Sequence, residues 1–416
     1  GGMEVHKART AFIGCGGIAE AHYRGLKALW DAGCRDFEVV ATCDLVAEKA
    51  EKLASLLEKV QGTAPKTYTD VETMLKHHGE IQGVYILTEH DIHHTLALQC
   101  LEAGKHVMTE KPLAFPLRAG QKVIKAARQR NLTLQVAENY RLAPSERAVS
   151  WAVRQGMIGT PRILNWMDVG ERLWHWGWRD FLNKAAGGWT LDGGVHFADL
   201  FLCHVGEIDE VYAVSTTFDP VKYVYYKLNE SGEHQNPRFR QTRSLRQIDE
   251  NTLAEPIAGT VEDTTSAIFR FSNGVIGTWM VTRAAPGRED RTWSLYGSEG
   301  VITWQEGLYT RTAQPALTWD ELTTKYMQAL TTEERERLFP YGVTDTFGVE
   351  QKQFFDAIRG EGQVEVTGEV GYKSLAISMA VYESAAIGQP VKLADVEDLK
   401  IEVYQAELNK LINLEA

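Results

Sequence analysis

Cysteine is scarce. The 416 residues hold five (Cys15, Cys34, Cys43, Cys100 and Cys203), an odd set with no CxxC pair and no zinc-ligand spacing. This argues against a disulfide framework and a zinc module, and reads as reduced core thiols of a cytosol. Long apolar runs are also missing. Stretches such as 84–88 fall far short of the roughly 18 residues of a membrane helix, so no membrane partner is expected. No block of Lys and Arg occurs, and 44 basic against 56 acidic side chains leave a formal charge of −12. Nucleic acid and anionic membrane surfaces are poor partners for such a chain. The start has no basic region followed by an apolar stretch. Gly1-Gly2-Met3 looks like a cloning scar, residues 1–8 are expected to be a tag-like disordered start, and the cytoplasm is the expected compartment.

Apolar residues are plentiful at 44% of the chain, enough for sizeable cores, and the length suggests two or three domains. From Ala11 to about Arg141, short β-type runs (10–13, 37–43, 83–88, 106–108, 132–136) alternate with helical patterns (19–32, 47–59, 71–77, 93–103, 118–130). That rhythm predicts βαβ units and a parallel sheet. After Pro144 the texture changes. Helices are expected at 145–155 and 194–205, and strands at 162–169, 210–218, 265–271, 274–282, 292–296 and 301–303, with Asn273-Gly274 and Glu299-Gly300 as turns. Consecutive hairpin-like strands predict an antiparallel sheet, hence an α+β domain after an α/β one. Residues 220–262 lack periodicity and read as a long excursion, and helices at 347–359, 369–387 and 396–414 close the chain.

Gly14-Cys15-Gly16-Gly17-Ile18-Ala19 follows the first strand and fits GxGxxA. The first glycine allows a tight turn, the second a close approach to a pyrophosphate, and the small Ala19 close helix–strand packing, with the helix N-terminus facing the phosphates. An ordinary glycine-rich βα turn has the same pattern. Asp44 ends the second strand, where a carboxylate binds ribose hydroxyls. Its charge disfavours a 2′-phosphate and Leu45 and Val46 supply no cation, so NAD is expected rather than NADP. A helix N-cap is the other reading of Asp44.

Gly104-Lys105-His106-Val107-Met108-Thr109-Glu110-Lys111-Pro112 resembles the "GKHV…EKP" segment of the Gfo/Idh/MocA oxidoreductases. The likeness extends over most of the chain. Thr88-Glu89-His90-Asp91-Ile92-His93 is similar to "TPxxxH" with Glu89 in place of the proline, and 187–196 to "GGG…LxDxGxH". Phe271-Ser272-Asn273-Gly274 is similar to the family's "F-NG" hairpin, Tyr296-Gly297-Ser298-Glu299-Gly300 to its "YGxEG" turn and Val366-Thr367-Gly368-Glu369 to its "VTGE" helix start. The resemblance implies a Rossmann dinucleotide-binding domain (9–144) followed by a substrate and oligomerisation domain with an open-faced, mainly antiparallel sheet (145–416, C-terminal helices included). The active site would lie in the cleft between them, with no metal.

The resemblance makes Lys111, Asp192 and His196 the catalytic set. A lysine amine near the nicotinamide hydrogen-bonds the reacting hydroxyl. Asp192 and His196 are four apart at a helix start, so both would project from one face, the carboxylate orienting the imidazole. Apart from the resemblance, a helix-capping Asp and a buried His are the plainer reading. Thr88, His90, His93, Glu110 and Asn139 are expected beside the cofactor. The loop Arg172-Leu173-Trp174-His175-Trp176-Gly177-Trp178-Arg179 and Tyr140 are expected at the substrate, since indole faces stack on sugar C–H faces and Arg or His donate to hydroxyls or anions. Domain-interface packing is an equal reading for Trp174 and Trp176. The expected activity is hydride transfer from a hydroxyl carbon of a sugar, sugar derivative or cyclic polyol to nicotinamide C4 in a homodimer or homotetramer. The alternative is an NAD-dependent glycosidase working by transient oxidation, elimination, water addition and re-reduction.

Overall fold

The computed structural model describes residues 6–227, 248, 250 and 252–414. Its first sheet has six parallel strands: β1 (Ala8–Ile13), β2 (Phe37–Cys43), β3 (Lys66–Tyr68), β4 (Gly83–Ile86), β5 (His106–Thr109) and β6 (Leu134–Val136). Their order is β3-β2-β1-β4-β5-β6. This is the doubly wound order, whose switch point lies between β1 and β4 at the carboxyl ends of the strands. The expected strands are present, though β4 and β6 are shorter than the apolar runs that marked them. β3 is new; three residues at a sheet edge are too few to show a period. Ala8 already opens β1, so the expected disordered start does not extend that far, and residues 1–5 lie outside the described residues.

The second sheet is built from β7 (Pro161–Val169), β8 (Ile208–Thr216), β11 (Thr264–Phe271), β12 (Ile276–Thr282), β13 (Asp290–Gly297), β14 (Gly300–Thr303), β15 (Gly307–Thr310), β16 (Leu317–Thr318) and β17 (Val391–Lys392). Their order is β16-β15-β14-β13-β7-β12-β11-β8-β17, antiparallel except for the β7–β12 pair. Two strands within the expected excursion, β9 (Val221–Lys227) and β10 (Thr252–Ala258), form a separate antiparallel ribbon; residues 228–247, 249 and 251 of that stretch lie outside the described residues.

One face of the large sheet is covered by the helices Gly194–His204 and Gly368–Ile387. Phe201 of the first meets Phe269 and Trp279 of the sheet. The opposite face carries exposed apolar side chains, among them Ile163, Val214, Ile268 and Ile276. Alternation along β11 reports this one-sided burial.

The chain's last third also completes the first domain. The helix Thr346–Arg359 lies on the helix Gly17–Asp31 so closely that a Cβ on Gly25 would stand 2.6 Å from the backbone nitrogen of Gly348. Phe354 and Phe355 enter the same apolar cluster as Phe12, Phe37 and Tyr85. Their position brings the helix start beside the carboxyl end of β6. The helix expected at 396–414 is two, Leu393–Glu397 and Val403–Leu411, broken where Leu399 takes a φ of +59°. None of the described helices is long and apolar enough to cross a membrane.

Candidate active site

Gly14 has a φ of +90°, and a Cβ there would stand 2.4 Å from the carbonyl oxygen of Leu87. Only glycine fits, and the chain turns directly into the helix that begins at Gly17, with Ile18 half-buried and Ala19 buried behind it. Gly16 and Gly17 have open space where a side chain would be, so the backbone at the helix start can be approached closely, as a dinucleotide pyrophosphate requires. Asp44 accepts the N–H of Cys15 at 2.8 Å and of Val46 at 2.9 Å. Its carboxylate is thus held at the mouth of the glycine loop. It is not a helix cap, because Val46 occupies that position. Thr88 ends the run after β4, half-buried beside the same loop.

Lys111 follows β5 at a cis Lys111–Pro112 bond. Its Nζ reaches across to the second domain, donating to the backbone oxygen of Asp192 and lying 3.3 Å from Oδ1. A break in the helix makes this possible. The turn Trp189–Asp192 ends at Gly193, and the N–H of His196 bonds to Gly193 rather than to Asp192, whose carbonyl is left for the lysine. The Asp192 carboxylate also meets His90 Nε2 at 3.2 Å and Arg179 Nε at 3.2 Å. Burial pushes this carboxyl up, but Lys111, His90 and Arg179 overcome it and hold the group well below the usual carboxylate range.

The expectation that Asp192 orients His196 is corrected by the same break. His196 turns to Glu138, whose Oε2 is 2.6 Å from Nδ1, and its ring stacks on Tyr140 at 4.0 Å and 5°. Glu138 closes β6 and is buried. A single carboxylate after a strand carries no motif, so the sequence does not single it out.

Four of the residues expected beside the cofactor have partners within the protein. His93 is fully buried, with its ring nitrogens against the carbonyls of Pro112 at 2.8 Å and Thr88 at 3.2 Å. Burial lowers its pKa to about 4, so it is a neutral brace for the loops around Lys111. Glu110 turns inward to His22, 2.9 Å away. His90 belongs to the Asp192 cluster, with Trp178 edge-on to it at 4.6 Å. Asn139 donates to the Thr346 hydroxyl at 2.7 Å, tying the end of β6 to the helix start.

The aromatic loop is organised by Asp180, a buried carboxylate with no sequence signal of its own. It binds Arg172 at 2.7 Å, His175 Nδ1 at 2.8 Å and the N–H of Trp176 at 2.7 Å. Arg172 lies over Trp174 and Trp176, and Arg179 over Trp176 and Trp178. The backbone of Leu173 and His175 pairs with Tyr223 of the ribbon. The loop is therefore a fixed wall of alternating indoles and guanidiniums next to Asp192.

Residues 8–138 match the family described as "Oxidoreductase family, NAD-binding Rossmann fold", and residues 147–303 the "GFO/IDH/MocA C-terminal domain". The chain is 27% identical to a 1,5-anhydro-D-fructose reductase from Ensifer adhaerens, over 86% of this chain and 91% of that protein. It is 29% identical to a levoglucosan dehydrogenase from Pseudarthrobacter phenanthrenivorans, over 74% and 78%. A solved levoglucosan dehydrogenase in complex with NADH superposes with a TM-score of 0.68 at 22% identity, covering 93% of this chain and 99% of that one.

Proposed function

Since the chain belongs to the Gfo/Idh/MocA oxidoreductases, we propose that it oxidises a hydroxyl carbon of a sugar, sugar derivative or cyclic polyol with NAD. The observation that carries this reading is the reach of Lys111 from the dinucleotide domain to Asp192 in the second. It places an ammonium, a carboxylate and, through Tyr140, an imidazole at the carboxyl end of the parallel sheet. Bound NAD supplies the hydride acceptor. Lys111 binds the substrate hydroxyl and stabilises negative charge on its oxygen, while His196 takes the proton, Glu138 standing behind it. Asp192, ionised and fixed, holds the lysine in direction. The relatives named above are a reductase and a dehydrogenase, which favours net oxidation or reduction over the redox-neutral glycosidase.

In this reading residues 9–144 are the dinucleotide-binding domain, with the helix Thr346–Arg359 packed onto it, and the rest of 145–416 the substrate domain. The exposed apolar face around Ile163, Val214, Ile268 and Ile276 pairs two copies into a homodimer or the layer of a homotetramer. The five unpaired cysteines fit a cytoplasmic location. The test is NADH formation across anhydrosugars, aldoses, inositols and sugar acids. Lys111→Ala and His196→Ala are expected to lower turnover by about 10³-fold while NAD binding remains measurable. Full activity in either variant overturns the assignment.

A further inference from the structure

A cavity between the aromatic loop and the β9–β10 ribbon runs from Asp192 to Lys222, with Arg172, Arg179, Glu262 and Arg283 along its walls. Three of its four cations have a carboxylate. Arg172 pairs with Asp180 at 2.7 Å, Arg179 with Asp192 at 3.2 Å and Arg283 with Asp168 at 2.9 Å. Two of the other acids along it, Asp263 and Glu262, are also provided for, while Asp219, half-buried, lines it as well. Asp263 accepts from the N–H groups of Phe218 and Asp219 and from the Thr264 hydroxyl. Glu262 accepts from the Gly188 N–H and the Tyr382 hydroxyl.

Lys222 is the exception. It is 5% exposed, and its Nζ has no hydrogen-bond partner among the described residues. Burial and the nearby Arg172 lower its pKa, while Asp263, Asp219 and Asp180 act in the opposite direction without reaching it by a hydrogen bond. An ammonium taken out of water with three unsatisfied donors is strongly unfavourable unless an acceptor arrives with the ligand. A sugar hydroxyl supplies lone pairs but no charge, whereas a carboxylate supplies both.

We propose that Lys222, with Arg172 beside it, binds the carboxylate of the substrate, and that the substrate is a sugar acid, a uronate or an aldonate. The lining includes Asp192, which Lys111 contacts, so the proposal assigns the carboxylate to the Lys222 end and the reacting hydroxyl to the Asp192 end, toward Lys111 and His196. This inference rests on the dehydrogenase reading, and its test separates the two.

The experiment compares NADH formation with D-glucuronate, D-galacturonate and D-gluconate against D-glucose and D-galactose, in the wild type and in Lys222→Met and Lys222→Arg. At least one acid is expected to exceed its neutral partner in kcat/KM by about tenfold or more. Lys222→Met should reduce that acid-to-neutral ratio about tenfold, mainly through KM, and Lys222→Arg should retain most of it. Neutral sugars that turn over as well as acids, or a ratio that Lys222→Met leaves unchanged, overturn the sugar-acid assignment and leave the dehydrogenase standing. If no sugar of either kind turns over, the dehydrogenase reading fails, and thermal shift in the presence of NADH then decides the subsite. Stabilisation of the wild type by an acid, lost in Lys222→Met, supports it, and no shift with any acid ends it. The variant also distinguishes a hidden pairing with Asp219: removal of an unpartnered ammonium raises the melting temperature of the free protein, and removal of a paired one lowers it.

Discussion

The Nδ1 of His196 stands 2.6 Å from Oε2 of Glu138, a carboxylate at the end of β6 with 1% exposure. The approach is bent away from hydrogen-bond geometry, as catalytic contacts often are before substrate tightens them. Nδ1 facing Glu138 leaves Nε2 as the nitrogen for the substrate proton. Glu138→Gln is therefore expected to lower kcat about 10- to 100-fold with a small change in KM. The double variant Glu138→Gln/His196→Ala should lose no more than His196→Ala alone, because the carboxylate acts through the ring. Additive losses in a steady-state cycle would show that Glu138 works by another route.

Asp192 gives a contrasting pH signature. Its carboxyl is held well below the usual carboxylate range against its own burial, by Lys111, His90 and Arg179. A depressed carboxyl contributes stability above its unfolded pKa and loses it only as pH falls through the lower folded value. Asp192 is thus expected to stay ionised where an ordinary carboxylate begins to protonate, and the acid limb of a pH–rate profile to belong to another group. Asp192→Asn should lower kcat by about 10²-fold or more at every pH, since it removes the charge that faces Lys111, His90 and Arg179 while keeping the backbone oxygen that Lys111 bonds, and leave the acid limb where it was. A limb that moves in the variant assigns that titration to Asp192.

The Rossmann half was readable because each of its signals is local. A strand, GxGxxA and an acidic residue at the end of β2 lie within one βαβ unit, and the parallel order follows from the alternation. Legibility failed where geometry depends on a break or on distant chain. The i,i+4 spacing of Asp192 and His196 suggested one helical face, and the interruption at Gly193 removed it. Glu138, Asp180 and Lys222 carry no motif, and their roles exist only once β6, the aromatic loop and the ribbon meet. The helices Trp319–Ala329 and Thr332–Leu338 were within reach. Thr318 with Glu321 and Thr331 with Glu334 form capping boxes, a helix-start signal that is local in the sequence.

In the proposed function Asp44 combines a binding role with a structural one, because the oxygen that accepts the Cys15 N–H fixes the glycine loop. Asp44→Ala removes both the ribose acceptor and the charge that repels a 2′-phosphate. The KM for NAD is expected to rise about tenfold and the NAD-to-NADP preference in kcat/KM to fall by about the same factor. Adding Leu45→Arg, at a position 89% exposed, should turn the residual preference toward NADP. Coenzyme kinetics in which Asp44→Ala keeps its discrimination against NADP would place the selectivity elsewhere.

Glu262, at the wall of the cavity that holds Lys222, sets a stability trend on the acid side of neutrality. Burial pushes its carboxyl up to about 7, with the Gly188 N–H and the Tyr382 hydroxyl only partly offsetting the shift. The folded protein therefore binds more protons here than the unfolded chain between about 4.5 and about 7. The contribution of this group to stability is complete below the lower value and is lost as pH rises through the upper one. Glu262→Gln keeps an acceptor for Gly188 and removes the titration. Its melting temperature should fall less than that of the wild type between pH 5 and pH 7.5, by about 1–3 °C for a chain of this size. Calorimetric profiles that run parallel over this range would mean that Glu262 is ionised in the folded protein at pH 5, and that the cavity wall is more polar than its packing indicates.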